Sequence, residues 1–122
     1  MASHIIMSNV DGASALAKSP APEFETFEFK GWQGRAVEDS GVFMFLFDIA
    51  PDAEEFPIHA DEAEWLALIL SGAGTLYAGT ADMQKTDGMD YEAGDYITFQ
   101  GGTPHGWKNG GAPSRILFVK RA

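Results

Sequence analysis

The sequence contains no cysteine among its 122 residues. This absence excludes disulfide bonds, thiolate nucleophiles and thiolate metal ligands. Any metal ion would therefore have to be held by histidine, carboxylate or tyrosine side chains. Histidine is also scarce, with three in the chain, so the sequence offers few places where such chemistry can occur.

Basic side chains are few. Eight lysine and arginine residues face eighteen acidic residues, which gives a formal net charge of -10. A field of this sign repels phosphate backbones and anionic lipid headgroups, so nucleic acid and membrane surfaces are excluded as partners. No run approaches the roughly 20 apolar residues of a membrane span, and the first residues lack the pattern of a secretory signal. We expect a soluble, cytoplasmic protein.

Helical periodicity is almost absent, and only residues 8–17 would tolerate a short helix. Fourteen glycines and six prolines separate short apolar segments at a spacing of roughly ten residues,. This pattern predicts one all-β barrel or sandwich. The predicted strands cover residues 24–29, 42–49, 56–59, 65–70, 75–78, 95–99 and 115–119, with a bend around residues 31–34 and a polar hairpin over residues 79–88.

The chain divides into an arm and a barrel. Residues 1–22 are small and mixed and end in Ser19-Pro20-Ala21-Pro22, where two prolines impose an extended backbone and remove hydrogen-bond donors,. We expect this segment to be a tail or an arm that covers a sheet edge. Residues 23–122 form the predicted barrel.

Residues 42–49 are apolar on both faces, with Phe43, Phe45 and Phe47 at alternate positions. A barrel strand needs only one apolar face, because the other normally meets water. The second apolar face therefore predicts a homodimer contact. A helix or the N-terminal arm covering this face is the alternative.

Two of the histidines lie where a predicted strand meets a turn. His59 precedes an acidic run that begins at Asp61, and His105 follows a glycine-rich turn. Residues two apart on a strand share a face, so His59 and Asp61 would project together. With His105 from a neighbouring strand they would form a two-histidine, one-carboxylate ligand set suited to a divalent first-row metal. The alternative is a hydrogen-bonded histidine beside a solvated acidic loop.

Residues 94–109 carry a specific pattern of glycine, histidine and asparagine. Gly94, Gly102, His105 and Asn109 stand at the spacing G-x5-P-x-G-x2-H-x3-N, with Gln100 in place of the proline. This segment closely resembles the second conserved motif of the cupin superfamily. The resemblance extends over roughly residues 42–119 and implies a jelly-roll fold, a double-stranded β-helix with a central pocket.

The first cupin motif, G-x5-H-x-H-x3-4-E-x6-G, is matched only in part. Ala53 replaces its first glycine, His59 matches its first histidine, and Asp61 stands at the second. Trp65 occupies the usual glutamate position, while Glu64 is one residue early. One residue on a strand separates inward from outward, so Glu64 would reach the pocket only through a bulge.

The resemblance implies a divalent metal ion, Fe, Mn, Ni or Zn, held by His59, Asp61 and His105. Glu64 or Tyr96 would then be the proton-transfer group of a metal-dependent oxygenase, isomerase or lyase. Aromatic side chains near the motifs are pocket candidates, although most aromatics at strand spacing are simply core. The predicted pocket residues are Trp65, Tyr77, Phe99 and Trp107.

Three functions remain open from the sequence. The first is a metal-dependent enzyme acting on a small polar or aromatic metabolite. The second is a metal-free module that binds a sugar or organic acid without turnover, through Trp65 and Trp107. The third is a structural subunit in which the apolar strand at residues 42–49 matters more than the pocket.

Overall fold

Strands separated by glycine-rich and proline-rich turns make up the whole of the protein. A computed structural model describes all 122 residues and contains no helix, which confirms the all-β prediction. No helix long and apolar enough to cross a membrane is present. The strands are β1 Ser3–Val10, β2 Ala13–Pro20, β3 Glu25–Thr26, β4 Trp32–Asp39, β5 Val42–Ile49, β6 Phe56–His59, β7 Trp65–Ser71, β8 Ala73–Gly79, β9 Lys85–Glu92, β10 Tyr96–Phe99, β11 His105–Asn109 and β12 Ser114–Arg121.

Two sheets enclose the core. The larger has six strands in the order β10-β7-β12-β5-β4-β3, and the smaller has four in the order β6-β11-β8-β9. All strand pairs in both sheets are antiparallel. Strands β6 and β11 carry the two motif histidines, so the smaller sheet positions the candidate ligands.

Along the inward faces of the two sheets, side chains become less buried from one end of the barrel to the other. Trp32, Ile49, Ile69 and Ser114 are almost fully buried and close one end. Along β12, burial decreases from Ile116 to the half-buried Lys120. The same grading occurs along β5, from Ile49 to the half-buried Phe43. A cavity forms at the end where these inward-facing side chains are less buried.

The N-terminal segment differs from the sequence expectation. Residues 8–17 form parts of β1 and β2 rather than a helix, because Asp11 and Gly12 build a tight hairpin turn. Both have positive φ, 52° and 85°, as an Asp-Gly type I′ turn requires. Asn9 supports the turn by accepting a hydrogen bond from the Gly12 N–H. We call residues 3–20 the N-terminal hairpin.

Two of the other strands outside the predicted ranges, β4 and β9, were missed for identifiable reasons. Strand β4 replaces the expected bend, because Gly34 interrupts its alternation of apolar side chains; a Cβ on Gly34 would collide with the ring of Phe45. Strand β9 falls partly in the expected polar hairpin. It is an edge strand whose side chains are exposed except at Tyr91, so it carries almost no hydrophobic pattern.

Candidate functional site

A cavity of ≈ 340 Å³ opens between the two sheets at their less densely filled end. Thirteen residues line it, and nine of them are phenylalanine or tryptophan. The four polar residues are His59, Asp61, His105 and Lys120. The aromatic residues are Phe27, Phe43, Phe45, Phe47, Phe56, Trp65, Phe99, Trp107 and Phe118.

The two motif histidines lie side by side on neighbouring strands. His59 ends β6 and pairs directly with His105 at the start of β11, with ring centroids 4.4 Å apart. The His105 ring also packs on Phe99 at 4.4 Å and runs nearly parallel to Trp107 at 5.5 Å. These aromatic neighbours fix the orientation of both imidazoles at the cavity wall.

Each imidazole has one nitrogen engaged by the backbone and the other left available. Nδ1 of His59 lies 3.0 Å from the Pro57 carbonyl oxygen, and Nδ1 of His105 lies 2.8 Å from that of Thr103. A carbonyl only accepts, so in the neutral form of each imidazole Nδ1 carries the proton and Nε2 keeps a lone pair. Burial lowers the pKa of His105, and its unprotonated form is favoured at neutral pH,.

Asp61 lines the same cavity from the loop after β6, but its carboxylate is already engaged. Its Oδ1 accepts a hydrogen bond from the Ala63 N–H at 2.8 Å, and its carbonyl oxygen accepts one from the Gly102 N–H at 2.7 Å. No three histidine or carboxylate side chains are grouped closely enough to hold a metal ion. The residues therefore fit a metal in part: two imidazoles are suited to coordination and a third close ligand is lacking.

The structure separates Trp65 from Glu64. Trp65 begins β7 and lines the cavity, with its ring edge-to-face against Phe43 and Phe118, both at 6.0 Å. Glu64 precedes the strand, is exposed, and lines an adjoining groove outside the cavity, which Trp65 also borders. No bulge turns Glu64 inward.

Two tyrosines expected at the site lie elsewhere. Tyr96 is 72% exposed at the start of the edge strand β10. Tyr77 sits under the ammonium of Lys85, 3.9 Å from the ring centroid, and does not line the cavity. Strand alternation explains its position, because its neighbour Leu76 packs against the core and successive side chains point to opposite faces,. Phe99 and Trp107 do line the cavity.

Sequence reasoning missed much of the aromatic wall. Phe43, Phe45 and Phe47 share one face of β5, and this period of two was the signal that could have assigned them to the cavity,. Phe118 and Lys120 follow the same period on β12. Phe27, which precedes the irregular turn into β4, offered no such signal.

Asn109 of the second motif is a structural residue. It is buried, and its amide nitrogen donates to the carbonyl oxygens of Ala50, at 3.1 Å, and Ala112, at 2.7 Å. Its amide oxygen accepts from the Ser114 hydroxyl. Asn109 thereby ties the loop after β5 to the connection between β11 and β12 at the filled end of the barrel, away from the cavity.

The profile of the family described as "Cupin domain" matches residues 45–120, more than half of the chain. The chain belongs to the cupin family. The match includes both histidine segments, most of the cavity strands β5 and β12, and Asn109. No curated protein matches the sequence of this cupin.

Solved structures with the same fold confirm the jelly roll. The polyketide cyclase RemF from Streptomyces resistomycificus is 23% identical, with a TM-score of 0.67 over 81% of this chain and 72% of that one. The DMSP lyase DddQ from Ruegeria pomeroyi is 15% identical, with a TM-score of 0.65 over 82% of this cupin and 56% of that chain. An RmlC-like cupin from Shewanella frigidimarina is 14% identical, with a TM-score of 0.64 over 81% of this chain and 82% of that one.

Proposed function

We propose that this cupin binds a small planar aromatic molecule in its central cavity. The observation that carries the proposal is the wall itself, in which nine of thirteen residues are phenylalanine or tryptophan. Aromatic rings in edge-to-face or offset contact gain about 0.5–1.5 kcal/mol per pair beyond the area they bury. A volume of ≈ 340 Å³ is near the lower end of the range for small-molecule sites, about 300–1,000 Å³, and favours one or two rings.

The histidine pair would orient such a ligand. The free Nε2 atoms of His59 and His105 accept hydrogen bonds, so a hydroxyl or N–H group on the ligand would point toward them,. If the cavity also carries out chemistry, these imidazoles are better placed than Glu64 or Tyr96 to accept a proton,. The fold leaves the reaction open, because structural neighbours that share it include both a cyclase and a lyase,.

Calorimetric titration with neutral probes tests the proposal. We expect 2-naphthamide and benzamide to bind with a Kd between about 10 μM and 1 mM, as the size of these probes allows. Cyclohexanecarboxamide, which has a saturated ring of similar size to benzamide, should bind at least several-fold more weakly. Failure of both aromatic probes to bind, or equal binding of the saturated probe, would contradict the proposal.

A matched pair of variants on β7 locates the binding. Trp65 faces the cavity, whereas Leu66 is 49% exposed on the opposite face. Trp65→Ala should weaken 2-naphthamide binding about tenfold, because it removes one aromatic wall. Leu66→Ala should leave the affinity within twofold. An equal effect of both substitutions would place the probe outside the cavity.

A divalent metal is the second candidate occupant. The observation favouring it is that both imidazoles present a free Nε2 beside one another, the state in which histidine coordinates a metal. His59 and His105 would hold the ion, and Asp61 would join them if its carboxylate left the Ala63 N–H. A bound ion would supply a Lewis acid with open coordination positions.

Metal content decides this candidate. Untagged protein would be dialysed against metal-free buffer, reconstituted with Fe(II), Mn(II), Ni(II) or Zn(II), and analysed by elemental mass spectrometry. Near-stoichiometric metal that both His59→Ala and His105→Ala abolish would support the site. Retention of metal in both variants, or none in the reconstituted wild type, would exclude it and leave a metal-free binding module.

A further inference from the structure

Lys120 is a cationic group in an otherwise aromatic wall. It is half-buried and lines the cavity on the same face of β12 as Phe118. Its Nζ lies 5.4 Å from the ring centroid of Phe43 and 5.3 Å from that of Trp65. Contacts of this length attract an ammonium to an aromatic face without neutralising its charge. The two rings therefore hold the cation at the rim of the cavity.

No carboxylate neutralises this ammonium. The ion pairs of the molecule join His4, Lys30, Lys85 and Arg115 to acidic partners, and Lys120 takes part in none. This is unexpected in a chain with more than twice as many acidic as basic residues. Asp61 lines the cavity and Glu64 lines the adjoining groove, and neither forms an ion pair with Lys120.

We infer that the ligand of the cavity carries an anionic group, such as a carboxylate, that pairs with Lys120 while its ring enters the aromatic interior. This inference rests on the proposed function and adds the charge and orientation of the ligand. The acidic Asp61, elsewhere in the cavity wall, would repel the anion and so favour the same orientation,.

The aromatic surroundings strengthen this pairing. An exposed ion pair contributes little, because water screens it. Lys120 is half-buried against two rings, where the effective dielectric is lower and a charge-assisted hydrogen bond is stronger. We therefore expect about a tenfold preference for an anionic ligand over its neutral analogue.

Three probes with comparable rings test the inference by calorimetry. They are 2-naphthoate, which is anionic, 2-naphthamide, which is neutral, and 2-naphthyltrimethylammonium, which is cationic. The wild type should bind the anion about tenfold more tightly than the amide, and the cation most weakly. Tighter binding of the cation would overturn the inference, since it would show that the aromatic faces and Asp61 select positive charge.

Lys120→Met is the decisive variant, and Lys108→Met is its control. Lys108 is exposed on β11 and lines no part of the cavity, so both variants change the net charge equally. Lys120→Met should weaken 2-naphthoate binding about tenfold and change 2-naphthamide binding by less than twofold, while Lys108→Met changes neither.

The outcomes separate this inference from the proposed function. If the amide and the anion bind the wild type equally, or if the preference survives in Lys120→Met, the aromatic cavity stands and the role of Lys120 is wrong. A preference that is lost instead in His105→Ala would place the anion at the histidine pair. If no aromatic probe binds, the proposed function itself fails.

Discussion

Tyr91 is buried on β9 with its hydroxyl lacking any hydrogen-bond partner. Burial raises the pKa of Tyr91 to about 12. A raised pKa in the folded state means that folding favours the neutral phenol over the phenolate, and this contribution to stability is fully present below the unfolded pKa, about 10. That contribution is lost as the pH rises from about 10 toward 12, because the unfolded chain releases the proton first.

Tyr91→Phe tests both consequences. At pH 7 the free energy of unfolding of the variant should equal that of the wild type or exceed it by about 1 kcal/mol, because the substitution removes an unpaired buried hydroxyl. Between pH 10 and pH 11.5 the wild type should lose stability more steeply than the variant. Urea unfolding at each pH measures this, and parallel pH curves would show that Tyr91 does not ionise on unfolding.

At the scale of single residues, the sequence predicted those site residues whose positions are set by a conserved motif. His59 and His105 are assigned by spacing, and Trp65 by the family position that it occupies. Tyr77 and Tyr96 could not be placed, because an aromatic on a strand has two possible faces and only the pairing register chooses between them. Lys120 escaped notice because a lysine near the end of a strand is usually solvated.

Gly106 lets β6 approach β11 closely enough to bring the two histidines together. A Cβ at this position would lie 2.7 Å from the Phe56 carbonyl oxygen and 3.0 Å from the Ile58 nitrogen, both backbone atoms of β6. The pairing of these strands also shifts register between His105 and Trp107. A side chain here would therefore push away the strand that carries His59.

Gly106→Ala should reduce the free energy of unfolding by about 1–3 kcal/mol, the range for inserting a methyl into a filled space. Gly88→Ala is the matched control, since its Cβ would meet only side chains, at 3.0 Å or more. Denaturant unfolding of both variants measures the difference. Equal stability of the two would mean that β6 can move without cost.

Element prediction succeeded where apolar side chains dominate and failed where they do not. Strand β5 matches the expected residues 42–49, because a short apolar run, broken only by Asp48 and flanked by Gly41 and Pro51, favours a buried strand,. The polar β9 forms because β8 pairs with it, with eight-residue β9 opposite seven-residue β8. The position of such a strand depends on the neighbouring strand with which it pairs, and no local sequence pattern reveals that pairing.

At the scale of the molecule, the N-terminal hairpin and the outer face of the six-stranded sheet form a wide apolar groove. Its walls include Ile5 and Met7 on one side and Met44, Leu46 and Leu117 on the other. The hairpin stands over the second apolar face of β5 but leaves Met44 40% exposed. A two-stranded hairpin is marginally stable alone, so its exposed apolar side chains need a partner surface.

We propose that a second copy of the chain occupies this groove. The N-terminal hairpin of each copy would pack against the six-stranded sheet of the other. Light scattering after size exclusion should give twice the chain mass of 13.2 kDa, and higher salt should favour the dimer by screening the charge of -10 on each chain,. Met44→Glu should shift the protein toward monomer. Met89→Glu, at a residue 74% exposed on the other sheet, should not; a monomeric wild type would contradict the proposal.

The most direct measurement of aromatic binding uses the indole N–H signals of the three tryptophans in a ¹⁵N-labelled sample. Trp65 and Trp107 line the cavity, whereas Trp32 is fully buried with its indole N–H donated to the Glu54 carbonyl at 2.7 Å. On titration with 2-naphthamide, the signals of Trp65 and Trp107 should shift together and saturate, with Trp32 shifting less. No shift, or an equal shift of all three, would contradict binding in the central cavity.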